Sequence, residues 1–220
     1  MKKTLLLSAL ALAGLAGSVQ AHEAGSIIVR AGAAMVSPDD SSSRIKAGGA
    51  SLPGTKATVN NDTQLGLTLA YKLTDHIGIE LLAATPFNHS INIKGAGLDG
   101  RFGSTKHLPP TVTLQYYPLA KESRWQPYVG AGINYTKFFD TKLSSARKDA
   151  GFSSLKLSDS WGLALQAGMD YMITDRLMFN MAVWHIDINT TARARLGAAP
   201  VKVKVDVDPW VYMVGLGYRF

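Results

Sequence analysis

Large apolar residues fall on every second position over most of the chain, which is the period of a strand and not of a helix. After Ser160, Trp161, Leu163, Leu165, Ala167, Met169 and Tyr171 share one face, while Gly162, Ala164, Gln166, Gly168 and Asp170 share the other. Leu65, Leu67, Leu69 and Tyr71 stand against Gln64, Gly66, Thr68 and Ala70 in the same way. The chain end repeats it, with Tyr212, Val214, Leu216, Tyr218 and Phe220 against Met213, Gly215, Gly217 and Arg219. This periodicity predicts eight strands, near Ser26–Val36, Thr63–Tyr71, Ile77–Pro86, Pro110–Tyr117, Gln126–Phe139, Ser158–Met172, Leu177–Arg195 and Val201–Phe220.

The two faces decide the solvent. Eight strands close around an interior just wide enough for side chains, too narrow for this many Leu, Trp and Tyr. Turning the bulky apolar face to lipid and the small or polar face inward resolves the volume, and closure pairs every strand edge as hydrocarbon requires. Connection lengths agree. Lys72–His76, Pro118–Trp125 and Ile173–Arg176 are short or moderate, whereas Ser37–Asp62, Phe87–Pro109 and Asp140–Leu157 read as long polar loops. Short turns at one rim and long loops at the other are the habit of outer-membrane barrels. The expected fold is therefore all-β: an eight-stranded antiparallel transmembrane barrel with long extracellular loops and short periplasmic turns.

The N-terminus places that barrel in a compartment. Lys2 and Lys3 precede an apolar run from Leu5 to Gly17, and Ser18, Val19 and Ala21 suit signal-peptidase cleavage after Ala21. The run is shorter than the ~20 residues a spanning helix needs. Residues 1–21 are thus expected to be an export signal and 22–220 the barrel domain, inserted in a bacterial outer membrane. The chain has no cysteine, which removes disulfides, thiolate metal sites and a cysteine nucleophile. Without the leader lysines the formal charge falls from +7 to +5. Those charges sit mostly in polar connections, so they suit a solvated rim and anionic lipid headgroups, with no role for nucleic acid.

Parity sorts the inward residues by depth. Arg30, Glu80, Gln115, Asp170 and Arg219 fall near the periplasmic end. Charges in so narrow a lumen must pair, and a paired cluster of this size would plug it. Further out the inward residues turn apolar: Leu82, Phe138, Trp184, Ile186, Ile188 and Val211. Such a lining suits a path for apolar solutes or a packed layer that only stabilises the barrel, and parity alone does not choose. Pro86 ends the third predicted strand and Pro109-Pro110 opens the fourth. Prolines can simply end strands, but three missing N–H donors at one outer seam could also leave the wall open to the side.

Several segments resemble the OmpW family, including its OprG and AlkL branches. They are Asp62-Thr63-Gln64-Leu65-Gly66-Leu67-Thr68, Glu80-Leu81-Leu82-Ala83-Ala84-Thr85-Pro86-Phe87, Leu108-Pro109-Pro110-Thr111, Pro127-Tyr128-Val129-Gly130-Ala131-Gly132-Ile133-Asn134-Tyr135 and Asp208-Pro209-Trp210. The resemblance implies passive passage of small, mostly hydrophobic molecules, a constriction at Leu82 and Trp184, and a side opening at Pro86. It tips the apolar lining towards a solute path, and the OprG branch adds small amino acids as alternative cargo. The terminal pair Tyr218 and Phe220 resembles the signal read by barrel assembly machinery. The other expected partners are the lipid bilayer, lipopolysaccharide and small hydrophobic solutes.

Other motifs carry less. Gly95-Ala96-Gly97-Leu98-Asp99-Gly100 spells a dinucleotide fingerprint but lacks the strand before and helix after that would give it meaning. His89 and His107 share one long connection and could meet, as ligands or as ordinary loop residues. No cofactor, metal or catalytic set is expected, because no nucleophile and base fall together. A structural or adhesive barrel without transport remains the alternative, with a lipid-modifying enzyme behind it.

Overall fold

The computed structural model describes residues 22–220 apart from 40, 43, 44, 48, 96 and 98. The expected leader, residues 1–21, and its cleavage point lie outside the described residues. In chain order the strands are β1 (Ile27–Ser37), β2 (Ser41–Ser42), β3 (Lys46–Ala47), β4 (Ala50–Ser51), β5 (Lys56–Val59), β6 (Asp62–Lys72), β7 (Ile77–Ala84), β8 (Phe87–Lys94) and β9 (Gly100–Leu108). They continue as β10 (Thr111–Tyr116), β11 (Trp125–Leu143), β12 (Phe152–Leu157), β13 (Ser160–Met172), β14 (Leu177–Ile186), β15 (Asn189–Leu196), β16 (Ala199–Asp206) and β17 (Trp210–Arg219). A short helix, α1 (Ser145–Asp149), lies between β11 and β12.

Eight of these close a ring in the order β1, β6, β7, β10, β11, β13, β14, β17 and back to β1, every pair antiparallel. The bulky face points outward, as the volume argument requires: Leu163 is 70% exposed, Leu216 53% and Leu65 51%. Aromatics ring both ends of this apolar face. Trp125 pairs with Tyr171 at the short-turn rim, and Tyr135 with Trp161 at the other, their rings 4.6 and 4.7 Å apart. Trp161 and Tyr171 are ten residues apart on β13. At ~3.3 Å per residue and ~40° of tilt, they stand about 25 Å apart along the barrel axis, the height of an outer-membrane apolar band. No helix among the described residues is long and apolar enough to cross a membrane.

The two tightest turns share one sequence device. In Thr74-Asp75-His76-Ile77 and in Thr174-Asp175-Arg176-Leu177, the threonine hydroxyl accepts the backbone N–H groups two and three residues on. Each such turn closes with Leu73 or Ile173 donating back to the carbonyl of Ile77 or Leu177. The side chain replaces water as partner for backbone donors that the sharp reversal would otherwise strand.

At the opposite rim the structure corrects the expected long polar loops. Phe87–Pro109 is a hairpin, β8 and β9, with Phe87, His89, Ile91 and Ile93 turned inward. β5, the outer half of β11, and a second sheet of β12, β15, β16, β3 and β4 build the rest of an outer extension. This extension has its own apolar core of Ile45, Ile91, Ile93, Phe102, Phe152, Leu155, Ala194 and Val201. The last two predicted strands are also each divided. The chain breaks between β14 and β15 at Asp187-Ile188, and between β16 and β17 at Val207–Pro209. Pro209 cannot donate to a ladder, Asp208 takes a positive φ of 33°, and the Ile188 N–H bonds the Asp208 carboxylate. Here the chain passes between the barrel and the outer sheet.

Candidate functional site: a plugged barrel with an interrupted seam

The lumen holds two layers of opposite chemistry. In the periplasmic half, Arg30 from β1 is fully buried and sets its guanidinium between two carboxylates. Its Nη1 donates to Glu80 Oε2 at 2.7 Å, its Nε to Asp170 Oδ1 at 2.9 Å, and its Nη2 to Asp170 Oδ2. Each carboxylate is then completed by neutral donors. Gln166 Nε2 donates to Glu80 Oε1 at 2.7 Å, and Asn180 Nδ2 to Asp170 Oδ1 at 2.8 Å. His22 Nε2 lies 2.8 Å from Asp170 Oδ2. Gln115 and Thr113 both donate to Gln166 Oε1, and the Tyr117 hydroxyl donates to Gln115 Oε1. A buried ion pair survives only with this degree of completion, since the desolvation cost of each charge is otherwise unmet.

Parity therefore brought Arg30, Glu80, Gln115 and Asp170 to one cluster. Arg219 stands apart, half-buried at the rim, and makes no ion pair among the described residues. A second buried cation, Lys72, pairs with neither carboxylate; its Nζ sits 3.5 Å from the centre of the Tyr117 ring without a hydrogen-bond partner. Lys72 reads as a turn residue in the sequence, yet it continues the inward parity of Thr68 and Ala70 on β6, which would have found it. Gln166, Asn180, Tyr117 and Tyr128 were legible in the same way. His22 precedes the first strand and has no periodicity to betray it.

Above this layer Leu82, Trp184, Ile186, Ile188 and Val211 are buried in one apolar cluster with Phe87 and Met213, and Phe138 packs on its edge. Trp184 pairs laterally with Gln166 and Val211, so the indole lies at the boundary between the polar and apolar layers. Above it opens a cavity of about 60 Å³, walled by apolar residues of both the barrel and the outer extension.

The three prolines mark a change of strand partners. β7 and β10 pair from Tyr116–Ile77 as far as Thr111–Leu82, and pairing resumes only between β8 and β9 at Phe87–His107. Between these points, residues 83–86 and 108–110 face each other without ladder bonds. Ala83, Ala84 and Thr85 keep their bonds to β6 on the other side. Pro110 does the same towards β11, its carbonyl accepting from the Tyr135 N–H and from Asn134 Nδ2. Pro86 and Pro110 are exposed, while Pro109 is buried.

His89 and His107 do meet, against their description as loop residues. Their rings stack at 4.9 Å within the β8–β9 hairpin, between Phe87 and Phe138. Among the described residues no group of three or more His, Cys, Asp or Glu is placed to hold a metal ion. Tyr218 and Phe220 contact each other at 4.9 Å, with Phe220 71% exposed at the end of the last strand.

A barrel with a lipid-facing apolar band, a buried polar cluster and this seam can be set beside known proteins. The family model described as "OmpW family" matches residues 23–220. The chain belongs to the OmpW family. It is 49% identical to outer membrane protein W of Escherichia coli over 99% of this chain and 100% of that one. The crystal structure of OprG from Pseudomonas aeruginosa superposes with a TM-score of 0.89 at 57% identity, covering 92% of this chain and 99% of that one. Outer membrane protein AlkL of Ectopseudomonas oleovorans is 30% identical over 80% of this chain and 74% of that one. These relatives are outer-membrane barrels, and this protein is one too, seated in the lipid bilayer of the outer membrane.

Proposed function

We propose that this barrel is a passive channel for small hydrophobic molecules, which enter the outer cavity from the medium and leave sideways into the outer leaflet. The observation that supports this most is a coincidence of place. The unpaired stretch between residues 83–86 and 108–110 lies beside the apolar cluster and directly above a sealed polar plug. A solute that prefers apolar walls finds charges and amides below it and the thinnest part of the wall beside it. Partition supplies the driving force, since moving apolar surface from water to hydrocarbon is favourable at roughly 25 cal/mol per Å². In this reading Leu82 and Trp184 form the constriction, Phe138, Ile186, Ile188 and Val211 the greasy approach, and Pro86, Pro109 and Pro110 the opening. Arg30, Glu80, Gln115 and Asp170 keep the periplasmic end shut. Residues 1–21 direct export, and Tyr218 with Phe220 present the strand end to the assembly machinery.

The test is uptake of an alkane by proteoliposomes or whole cells. Restoring ladder donors with Pro86→Ala together with Pro109→Val should zip the seam and lower uptake at least severalfold. Trp184→Asp should lower it further, by placing a charge in the apolar passage. Equal uptake by the first variant and the parent, in a correctly folded barrel, would count against the lateral exit.

A further inference from the structure

The outward face of the second outer sheet carries an arrangement that the channel does not use. Lys156 on β12 stands opposite Arg193 on β15, Arg193 opposite Lys202 on β16, and Lys202 opposite Lys46 on β3. Opposite residues share a face, so four cations line up across four neighbouring strands. At ~4.8 Å per strand the row is about 14 Å long. All four side chains are exposed, while Leu155, Ala194 and Val201 beside them are buried in the apolar core of the extension. The row therefore points away from the cavity. Arg195, two residues beyond Arg193 on the same face, is exposed as well. None of these five cations takes part in an ion pair among the described residues. Asp206, the carboxylate on this face of β16, lies four residues from Lys202.

Like charges directly opposite each other destabilise a sheet, so the fold does not hold this row for stability. Protection of a sheet edge accounts for Lys156 alone, because β12 is an edge while β15, β16 and β3 are paired on both sides. Solubility would be served as well by charges of alternating sign. The face is also hollowed. A groove of about 570 Å³ is walled by Lys156, Arg193, Arg195 and Lys202, with Ser154 and Thr191 beside them, and no carboxylate lines it. The irregularity between Ser153 and Lys156, which sets Lys156 opposite Arg193, holds Ser154 at a positive φ of 59°. That conformation is uncommon for a residue with a side chain. Backbone strain and charge repulsion are both borne where the cations gather.

We propose that this row and its groove bind the phosphates on the core sugars of lipopolysaccharide, anchoring the outer extension in the saccharide layer of the outer leaflet. The site is independent of the channel and of what the channel carries. Charge complementarity calls for an anion with several groups in series, since one phosphate would answer one or two of the five cations. Phosphate oxygens accept from the fork of an arginine and from a lysine ammonium, so both residue types serve. Height selects the partner. The Asn189 N–H bonds Ser160 Oγ, next to Trp161 of the outer aromatic ring, and β15 runs outward from there. Arg193 and Arg195 are four and six residues further on. At ~3.3 Å per residue they lie no more than about 13 and 20 Å beyond Asn189. That is past the acyl chains yet close to them, in the layer where the phosphorylated sugars of neighbouring lipopolysaccharide molecules stand. A free polyanion would be met equally well by cations at the far tips of the loops.

The experiment measures binding of fluorescent lipopolysaccharide, in mixed detergent micelles without divalent cations, to the folded parent and to the Lys156→Gln/Arg193→Gln/Lys202→Gln triple variant. All three side chains are exposed, so the fold should hold. The variant should bind at least about tenfold more weakly, as befits the loss of three basic side chains beside an anionic lipid surface. The parent should bind a lipopolysaccharide whose core sugars lack phosphate, but whose lipid anchor keeps its own, about tenfold more weakly too. This second arm needs no variant. Because the substitutions relieve opposed like charges, the variant's urea midpoint without lipopolysaccharide should equal or exceed the parent's. Equal binding by parent and variant would overturn the site, and equal binding of the two lipopolysaccharides would move it from the core sugars to the lipid headgroups. A lowered midpoint would show that the row serves stability and overturn the argument for a ligand. Tighter binding of the parent to heparin, a soluble polyanion, than to lipopolysaccharide would overturn the choice of partner.

Discussion

The two halves of the lumen are built from opposite chemistry. Below Trp184, Arg30, Glu80, Asp170, Gln166 and Asn180 share one network in which both carboxylates and the guanidinium are answered at hydrogen-bond distance. Around it His22 Nδ1, Thr68 Oγ1, Lys72 Nζ and Asn180 Oδ1 are buried without a hydrogen-bond partner, so this layer answers its paired charges and not every polar atom. Above Trp184, polar atoms are few, and the cavity wall is apolar apart from His89, Thr105, His107 and Thr190. The lower layer behaves like a protein core that happens to be polar and charged, where each exchange breaks a network. The upper one is an apolar wall whose few polar side chains are neutral.

The hardest way to strain this contrast is to break the lower network at its hub. Arg30→Met leaves Glu80 and Asp170 buried without their cation. Removing one partner of a buried pair typically costs 3–5 kcal/mol. The variant should unfold at markedly lower urea concentration in detergent, as followed by the electrophoretic shift between folded and unfolded barrel. A midpoint equal to the parent's would mean that the cluster is not a structural plug.

How far these halves could be read from the sequence follows from the same physics. Period-two alternation made the lipid-facing side and the closed barrel legible, because bilayer and narrow lumen punish any other orientation of Leu65, Leu163 or Leu216. The clustering of Arg30, Glu80, Gln115 and Asp170 was legible too, since they break the apolar rule at inward positions. Arg219 shows the limit: parity gives a face and a depth but not a partner, and it is His22 that stands 2.8 Å from Asp170. The outer extension was missed because its inward face is assembled from several short pieces. Phe87, His89, Ile91 and Ile93 do alternate, but the histidine, the flanking Asn and Ser, and the Gly-rich tip read as loop. Its apolar core depends on residues as distant as Ile45 and Val201, and nothing local announces such a union.

A matched pair of substitutions sharpens the comparison. Gln166→Leu should cost about 1–3 kcal/mol, because Glu80 Oε1, Gln115 and Thr113 each lose a partner inside the plug. His107→Phe, a similar exchange of polar for apolar in the outer half, should leave stability within about 0.5 kcal/mol or raise it, because no hydrogen bond is lost. Urea midpoints of the two variants decide it. A large loss from His107→Phe would show a hidden partner and remove the distinction between the layers.

The smallest effect is one of pH, and it belongs to the outer half. His107 is held at about 3, by burial first and by the neighbouring His89 second, with the Asp62 carboxylate pulling weakly the other way. In an opened extension the same ring would titrate near its ordinary ~6.5. Above that value neither form takes a proton, so closure does not depend on pH. As pH falls below it, the open form gains a proton that the closed form refuses, and closure weakens steadily towards pH 3. One unit of that window is worth about 1 kcal/mol. His89, lowered by burial and facing the Asn60 carbonyl and Asp62, should add in the same direction. Amide exchange at Thr105, His107 and Phe138, corrected for intrinsic rates, should therefore quicken between pH 7 and 5.5. Exchange that stays flat over that range would mean that the imidazoles are not held neutral by burial in the closed extension, and the outer half would then lose the feature that sets it apart from the plug.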